Sequence, residues 1–314
     1  MPAKFLLVSI LDLLLGLNFL SPVVLVQNLS ESEPAAEPKT QITPFLLPAA
    51  ETNYFPIRDW GIPAPVLSAR SVVLYDFSSD KILFSSNADS RLPIASLTKL
   101  MTAVVVTENI NQSDVITITK SVIAKSEEEG GGRDLYENEK MKASELLKFM
   151  LIRSSNVAAY GFSEYAGKNY GLNLVDEMNQ KARELGMDST FFTEAAGLDD
   201  QNSFSTSQDL VKLVKYSLKY PELYEILKTQ KAEIYSIDGR FRHQIFNTNE
   251  LLGKIFNIIG GKTGFTELAG GSIVLVTRSP DLSSRLIAVV LGSNDRFAEA
   301  ETLINWAGKA YLWK

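Results

Sequence analysis

Ser96 and Lys99 stand three residues apart in Ser96-Leu97-Thr98-Lys99, where a helical apolar periodicity begins. On a helix such positions share a face, so the hydroxyl and the amine come within reach of each other. A serine hydroxyl becomes a nucleophile when a neighbouring base takes its proton, and a lysine can be that base where its surroundings favour the neutral amine. The outward-pointing N–H groups of a first helical turn could also receive a developing oxyanion. Taken alone, the same residues describe an ordinary helix N-cap with a solvated lysine.

Ser154-Ser155-Asn156 lies between two helical patterns. A hydroxyl and an amide held there could relay a proton and fix a substrate amide, although a turn with an N-cap accounts for the triplet equally well. Gly261-Lys262-Thr263-Gly264 falls in a strand pattern, with Thr266 just beyond it. Small residues on a strand let a ligand backbone approach, and Lys262, Thr263 and Thr266 offer a cation and hydroxyls to a carboxylate. The string is not a phosphate loop, because that motif needs a glycine five residues before Gly261 and position 256 is Phe256.

Elements to hold these groups can be read from the pattern. Val73, Tyr75 and Phe77 alternate with Val72, Leu74 and Asp76, and Ser78-Ser79-Asp80 turns the chain into Lys81–Ser85, which predicts a β-hairpin. Leu97, Leu100, Met101, Val104 and Val105 predict a buried helix over Ser96–Asn109. Further helices are expected at 143–152, 156–165, 174–185, 207–220 and 221–227, strands at 255–262, 271–277 and 285–291, and a last amphipathic helix from Arg296 to about Tyr311. Strands at both ends enclosing a helical middle predict an α/β (α+β) unit, with one antiparallel sheet built from both ends and helices packed on it.

The chain has 314 residues, 45% of them hydrophobic and 22% charged, enough for a well-filled core. A net charge of −6 without a run of Lys and Arg argues against nucleic acid as a partner. The absence of cysteine excludes disulfides, thiolate metal sites and cysteine nucleophiles, and no metal or other cofactor is expected. The single histidine, His243, lies in a polar stretch and reads as a surface residue, so the base of any catalysis is not imidazole.

Lys4 followed by an apolar run from Phe5 to about Val26 reads as an export signal. The flank Val24-Leu25-Val26-Gln27 fits a cleavage site poorly, which favours an uncleaved membrane anchor, while Asp12 weighs against a span. Residues 28–63, rich in Ser, Glu, Pro and Ala, read as a disordered tether. That leaves 64–314 as the catalytic domain, with a sheet part at about 64–95 and 255–314 and a helical part at about 96–254. Glu127–Arg133 reads as a solvated loop or as a flexible rim over a groove.

The ordered set SxxK, SxN, KTG on helix start, loop and strand is far more specific than its parts. It resembles the penicillin-binding proteins and serine β-lactamases, and within them the low-molecular-weight D-alanyl-D-alanine carboxypeptidases and their endopeptidase relatives. The likeness runs from about Ser68 to Trp313. It includes Arg91–Ala103, Ala195–Asp200 with Ser203–Leu210, Asn247-Thr248-Asn249 and Lys262–Thr266. The resemblance implies a five-stranded antiparallel sheet flanked by helices plus an all-helical subdomain. It also implies an exported enzyme on the outer face of the cytoplasmic membrane or in the periplasm, acting on peptidoglycan peptides ending in D-Ala-D-Ala and binding β-lactam antibiotics covalently.

By the same resemblance Ser96 is the nucleophile, Lys99 its base, Ser154 a proton relay and Asn156 a substrate-amide contact. Lys262, Thr263 and Thr266 would hold the terminal carboxylate of D-Ala-D-Ala, Gly264 would line the same substrate site, and the N–H groups of Ser96 and Phe265 would form the oxyanion hole. Neighbouring cations such as Lys262, with partial burial, are expected to keep Lys99 neutral. Many relatives carry Ser-Gly-Asn-Asp where this chain has Ser154-Ser155-Asn156-Val157. Two alternatives stay open: a class A-like β-lactamase, whose deacylating glutamate has only Glu194 as a nearby candidate, and a non-catalytic wall-binding protein of the same fold.

Overall fold

Strands rich in Val, Ile and Leu bury both faces only if helices cover both sides of their sheet, and that is the arrangement found. The computed structural model describes residues 55–255 and 257–313. The first elements are β1 (Ile57–Arg58), the hairpin β2 (Ser71–Asp76) and β3 (Lys81–Ser86), a 3₁₀ turn at Ala95–Leu97, and α1 (Thr98–Asn109). The middle holds β4 (Val115–Thr117), α2 (Lys120–Glu128), β5 (Lys140–Lys142), α3 (Ala143–Lys148), a π-type turn at Phe149–Arg153, α4 (Asn156–Tyr170), α5 (Leu174–Glu184), α6 (Ser207–Ser217) and α7 (Pro221–Leu227). The hairpin β6 (Lys231–Tyr235) and β7 (Arg242–Phe246) follows, then β8 (Ile258–Thr266), β9 (Gly270–Arg278), β10 (Arg285–Ser293), α8 (Arg296–Ala310) and β11 (Tyr311–Leu312).

The expected sheet is present. It has five antiparallel strands in the order β3-β2-β10-β9-β8, so the first hairpin pairs with the last long strand and β8 is left at the edge. Alternate residues serve two cores. Val72, Leu74, Ile273, Leu275, Leu286, Ala288 and Val290 pack with Ala300, Leu303, Trp306 and Ala307 of α8. Val73, Tyr75, Val274, Val276, Ile287 and Val289 join the core of the helical part. Each fully buried side chain of this kind contributes about 1.5–3 kcal/mol relative to exposure. Helix α1 runs through the second core and is buried over Thr98–Val106, polar residues included.

Three features differ from the sequence expectation. The middle is not all helical, since β4 pairs with β5 and β6 with β7. These ladders are only three and five residues long per strand, and β4 and β5 are also well separated in sequence, so local periodicity is a weak guide to them. Residues 55–63, expected to finish a tether, are packed: Ile57–Arg58 pairs with Tyr311–Leu312, and Trp306 Nε1 donates to Pro63 O at 2.7 Å. Strand β8 runs through Thr266 rather than ending at Lys262, because pairing with β9 from Ile258–Thr277 to Thr266–Gly270 overrides the low strand propensity of its glycines. The N-terminal apolar run and most of the expected tether lie outside the described residues. Among the described residues no helix is long and apolar enough to cross a membrane.

Candidate active site

The 3₁₀ turn Ala95–Leu97 delivers Ser96 to the opening of α1, half-buried, with Ala95 in the left-handed region at φ 49°. A non-glycine residue held there costs on the order of 1–2 kcal/mol and persists only where packing enforces it. The enforcing contacts come from two glycines. A β-carbon on Gly264 would stand 3.0 Å from each of Ala95 Cβ, Ile94 O and Ser96 N. On Gly197, at φ +81°, it would stand 2.0 Å from Ala95 O. Only glycine lets both segments approach the turn at Ser96 so closely. A Gly264→Val protein is therefore expected to lose at least about 100-fold in its rate of acylation by penicillin. Cooperative unfolding should persist, as a thermal melt of the same sample would show.

Lys99 is fully buried, and its Nζ makes three polar contacts: Ser96 Oγ at 2.9 Å, Asn156 Oδ1 at 2.6 Å and Ala196 O at 2.6 Å. Two of these are carbonyl oxygens, which can only accept. When the amine is neutral, these oxygens take its two N–H bonds and its lone pair is left to face the Ser96 hydroxyl. Burial brings the amine down to about 7, against a smaller opposing pull from Glu194 and Asp134. Of the two causes expected, neighbouring cations and burial, removal from water is the dominant one, and burial is complete rather than partial.

Ser154 ends the π-type turn in the left-handed region at φ 68°, and Ser155 caps α4 by accepting from Ala158 N at 3.0 Å. The chain therefore turns at Ser154 and starts a helix at Asn156, which puts Ser154 and Asn156 on the same side as Lys99 and Lys262. The additional hydroxyl at Ser155 donates to Asp134 at 2.8 Å and so ties the loop to the segment after α2. Gly131 O accepts from Asn156 Nδ2 at 3.3 Å. Of the stretch read as a loop, Glu127 and Glu128 belong to α2, and Gly131 is bonded to Asn156.

Lys262 on β8 is buried and donates to Ser154 Oγ at 2.8 Å and to Thr263 O at 2.9 Å. Burial, then Lys99, then Arg296 hold its amine well below the usual lysine range. Thr263 Oγ1 lies 2.6 Å from Thr248 Oγ1, and Thr266 Oγ1 accepts from Ala269 N at 3.1 Å, which leaves its own O–H to donate. Phe265, next to Gly264, is 63% exposed.

Sequence reasoning gave no role to the Ala196 carbonyl, to Asp134 or to Arg296. Arg296 Nη1 lies 3.6 Å from the position of a β-carbon on Gly271, the residue paired with Phe265, and its buried Nε has no hydrogen-bond partner. Its place at the start of α8 after a strand was the only available signal. His243 is not a simple surface residue: its ring is largely covered, stacks beside Tyr136 and meets the buried Glu139 at 2.6 Å. It remains outside the set around Ser96.

A buried lysine paired with a serine at a helix start, opposed by a serine–asparagine loop and a lysine–threonine–glycine edge strand, defines a serine acyl-transfer hydrolase of the penicillin-binding-protein fold. Residues 61–295 match the model of the peptidase S11 family, described as D-alanyl-D-alanine carboxypeptidase, and the chain belongs to that family. It is 39% identical over 212 residues to a D-alanyl-D-alanine endopeptidase of Haemophilus influenzae, covering 67% of this chain and 70% of that one. It is 32% identical over 257 residues to the Escherichia coli D-alanyl-D-alanine carboxypeptidase DacC, covering 78% of this chain and 62% of that one. Among solved structures, a Listeria monocytogenes penicillin-binding protein in its ampicillin-bound form superposes with TM-score 0.64 at 28% identity, over 78% of this chain and 98% of that chain. The chain spans 61–63% of the length of the carboxypeptidases it matches and 70–78% of the length of the endopeptidases.

Proposed function

We propose that this protein is an exported serine D,D-peptidase that cleaves the D-alanyl peptides of peptidoglycan through an acyl-enzyme on Ser96, and that penicillins acylate the same hydroxyl. The observation that carries the reading is the Lys99 amine, 2.9 Å from Ser96 Oγ, with its other two contacts on carbonyl oxygens. Ser96 Oγ attacks the D-alanine carbonyl carbon of the scissile bond while Lys99 takes its proton. The N–H groups of Ser96 and Phe265 receive the oxyanion. The proton then passes through Lys99 and Ser154 to the leaving amine as the peptide bond breaks. Water attacks the ester, the proton returns to Ser96 Oγ, and the shortened peptide leaves.

Asn156 holds the substrate amide. Thr263, Thr266 and the permanent charge of Arg296 receive the terminal carboxylate, with Lys262 setting the orientation of Ser154. A signal or anchor in residues 1–27 would place this unit on the outer face of the cytoplasmic membrane or in the periplasm.

The higher identity to an endopeptidase relative, 39% against 32% for the carboxypeptidase DacC, favours cutting cross-links over trimming ends. Mass spectrometry of purified muropeptides after incubation tests this directly. Conversion of cross-linked dimers to monomers is expected; loss of a single terminal alanine from monomers alone would assign the protein to trimming, and unchanged muropeptides would remove the peptidase reading. The β-lactamase alternative is not favoured, because Glu194, its candidate deacylating group, has its carboxylate oxygens turned to backbone N–H groups of residues 196–198.

A further inference from the structure

Behind Lys99 lies a polar cluster that the proposed reaction does not use. Glu194 stands two residues before Ala196, whose carbonyl accepts from Lys99. Its carboxylate accepts from Ala196 N at 2.5 Å, from Leu198 N at 3.0 Å and from Gly197 N. Three charge-assisted bonds within five residues fold this segment into a tight turn. The turn presses on the nucleophile segment, since a β-carbon at Gly197 would meet Ala95 O and, at 2.8 Å, Thr98 Oγ1.

Glu194 is braced from outside. The Tyr160 hydroxyl of α4 reaches Glu194 Oε2 at 2.8 Å and lies against Glu129 as well. Lys125 Nζ sits 4.8 Å from the Tyr160 ring centroid and 3.8 Å from Glu129 Oε1. The anchored carboxylate is therefore connected through one phenol to the rim that follows α2.

We propose that Glu194, braced by Tyr160, is the positioning residue for the general base: by fixing the turn at 196–198 it holds the Ala196 carbonyl on the Lys99 amine, so that the lone pair is aimed at Ser96. This rests on the acylation proposed above. Without that carbonyl the amine has Asn156 as its one remaining obligate acceptor, and it can rotate its lone pair off the hydroxyl. Glu194 also places negative charge near Lys99. The charged groups around the amine are Glu194 and Asp134, which favour the ammonium form, and Lys262, which repels it. Lys125 and Glu129 stand behind Tyr160.

The test measures penicillin acylation of the full chain as a function of pH for wild type, Glu194→Gln and Tyr160→Phe, with a thermal melt of each. Glu194→Gln conserves size and keeps one carbonyl oxygen while removing the charge. Its plateau rate is expected to fall roughly tenfold through loosened positioning. The acid limb of its profile should move to lower pH by about half a unit or more, because a lost anion no longer favours the ammonium. Tyr160→Phe should lower the plateau less, with a smaller movement of the limb in the same direction.

A Glu194→Gln protein with the wild-type plateau and limb overturns the inference. A slower plateau with an unmoved limb also overturns it, because that pattern belongs to a residue that supports the fold only. Failure of the wild type itself to be acylated would overturn the function proposed above, and is seen before any variant is compared.

Discussion

Ser96→Ala protein takes up no penicillin: intact-mass measurement is expected to find the penicilloyl adduct on wild type and none on the variant, and hydrolysis of D-alanyl peptides should fall by at least about 10⁴-fold. The reason is local. Ser96 Oγ is the hydroxyl that the buried Lys99 amine approaches at 2.9 Å, and it sits where α1 opens its unpaired N–H groups. The change removes one oxygen from a half-buried position, so the melting temperature should stay close to that of wild type. A variant still labelled with one equivalent of penicillin would move the nucleophile to another residue and end the assignment.

Lys99→Arg is the second large effect, with acylation expected to fall by about 10²–10⁴-fold. A guanidinium stays charged at any ordinary pH and cannot take a proton from Ser96, whereas burial has brought the Lys99 amine down to about 7. The same reasoning fixes the pH dependence of the wild type. Below about 7 the amine is protonated and the rate falls tenfold per unit of pH; above it the rate levels off. A stopped-flow series with a chromogenic β-lactam reads both. An acylation rate for Lys99→Arg within a few-fold of wild type, or a wild-type rate flat from about pH 5 to 9, would show that the proton goes elsewhere.

Much of the sheet was legible because its strands are long and apolar and its hairpin has a clear turn. Val72–Asp76 and Lys81–Ser85 needed only alternation and Ser78-Ser79-Asp80 between them. Helix α1 was legible for the same kind of reason, although Thr98, Lys99 and Thr102 in its first half are as buried as its apolar residues. The ladders β4–β5 and β6–β7 were not legible. Each is stabilised by pairing and by what it packs on, as where Ile234 and Ile245 enter the core beneath exposed neighbours.

The candidate site divides in the same way. Ser96, Lys99, Ser154, Asn156, Lys262 and Thr263 stand in short strings whose order along the chain announces them, because each string must keep its residue types at fixed spacing on one element. Ala196, Asp134 and Arg296 stand in no such string. Ala196 acts through its backbone carbonyl, which any residue carries, and the side chains of Asp134 and Arg296 gain meaning only from neighbours far away in sequence.

The sequence by itself determined the chemical inventory: one hydroxyl poised at a helix start, lysines as the available bases, no thiol and a single imidazole. Tertiary structure alone decided that Lys99 and Lys262 have lost their water and which oxygens face them. An amine is a base near neutral pH only when burial outweighs solvation, and burial is a property of the packed chain and of no segment within it.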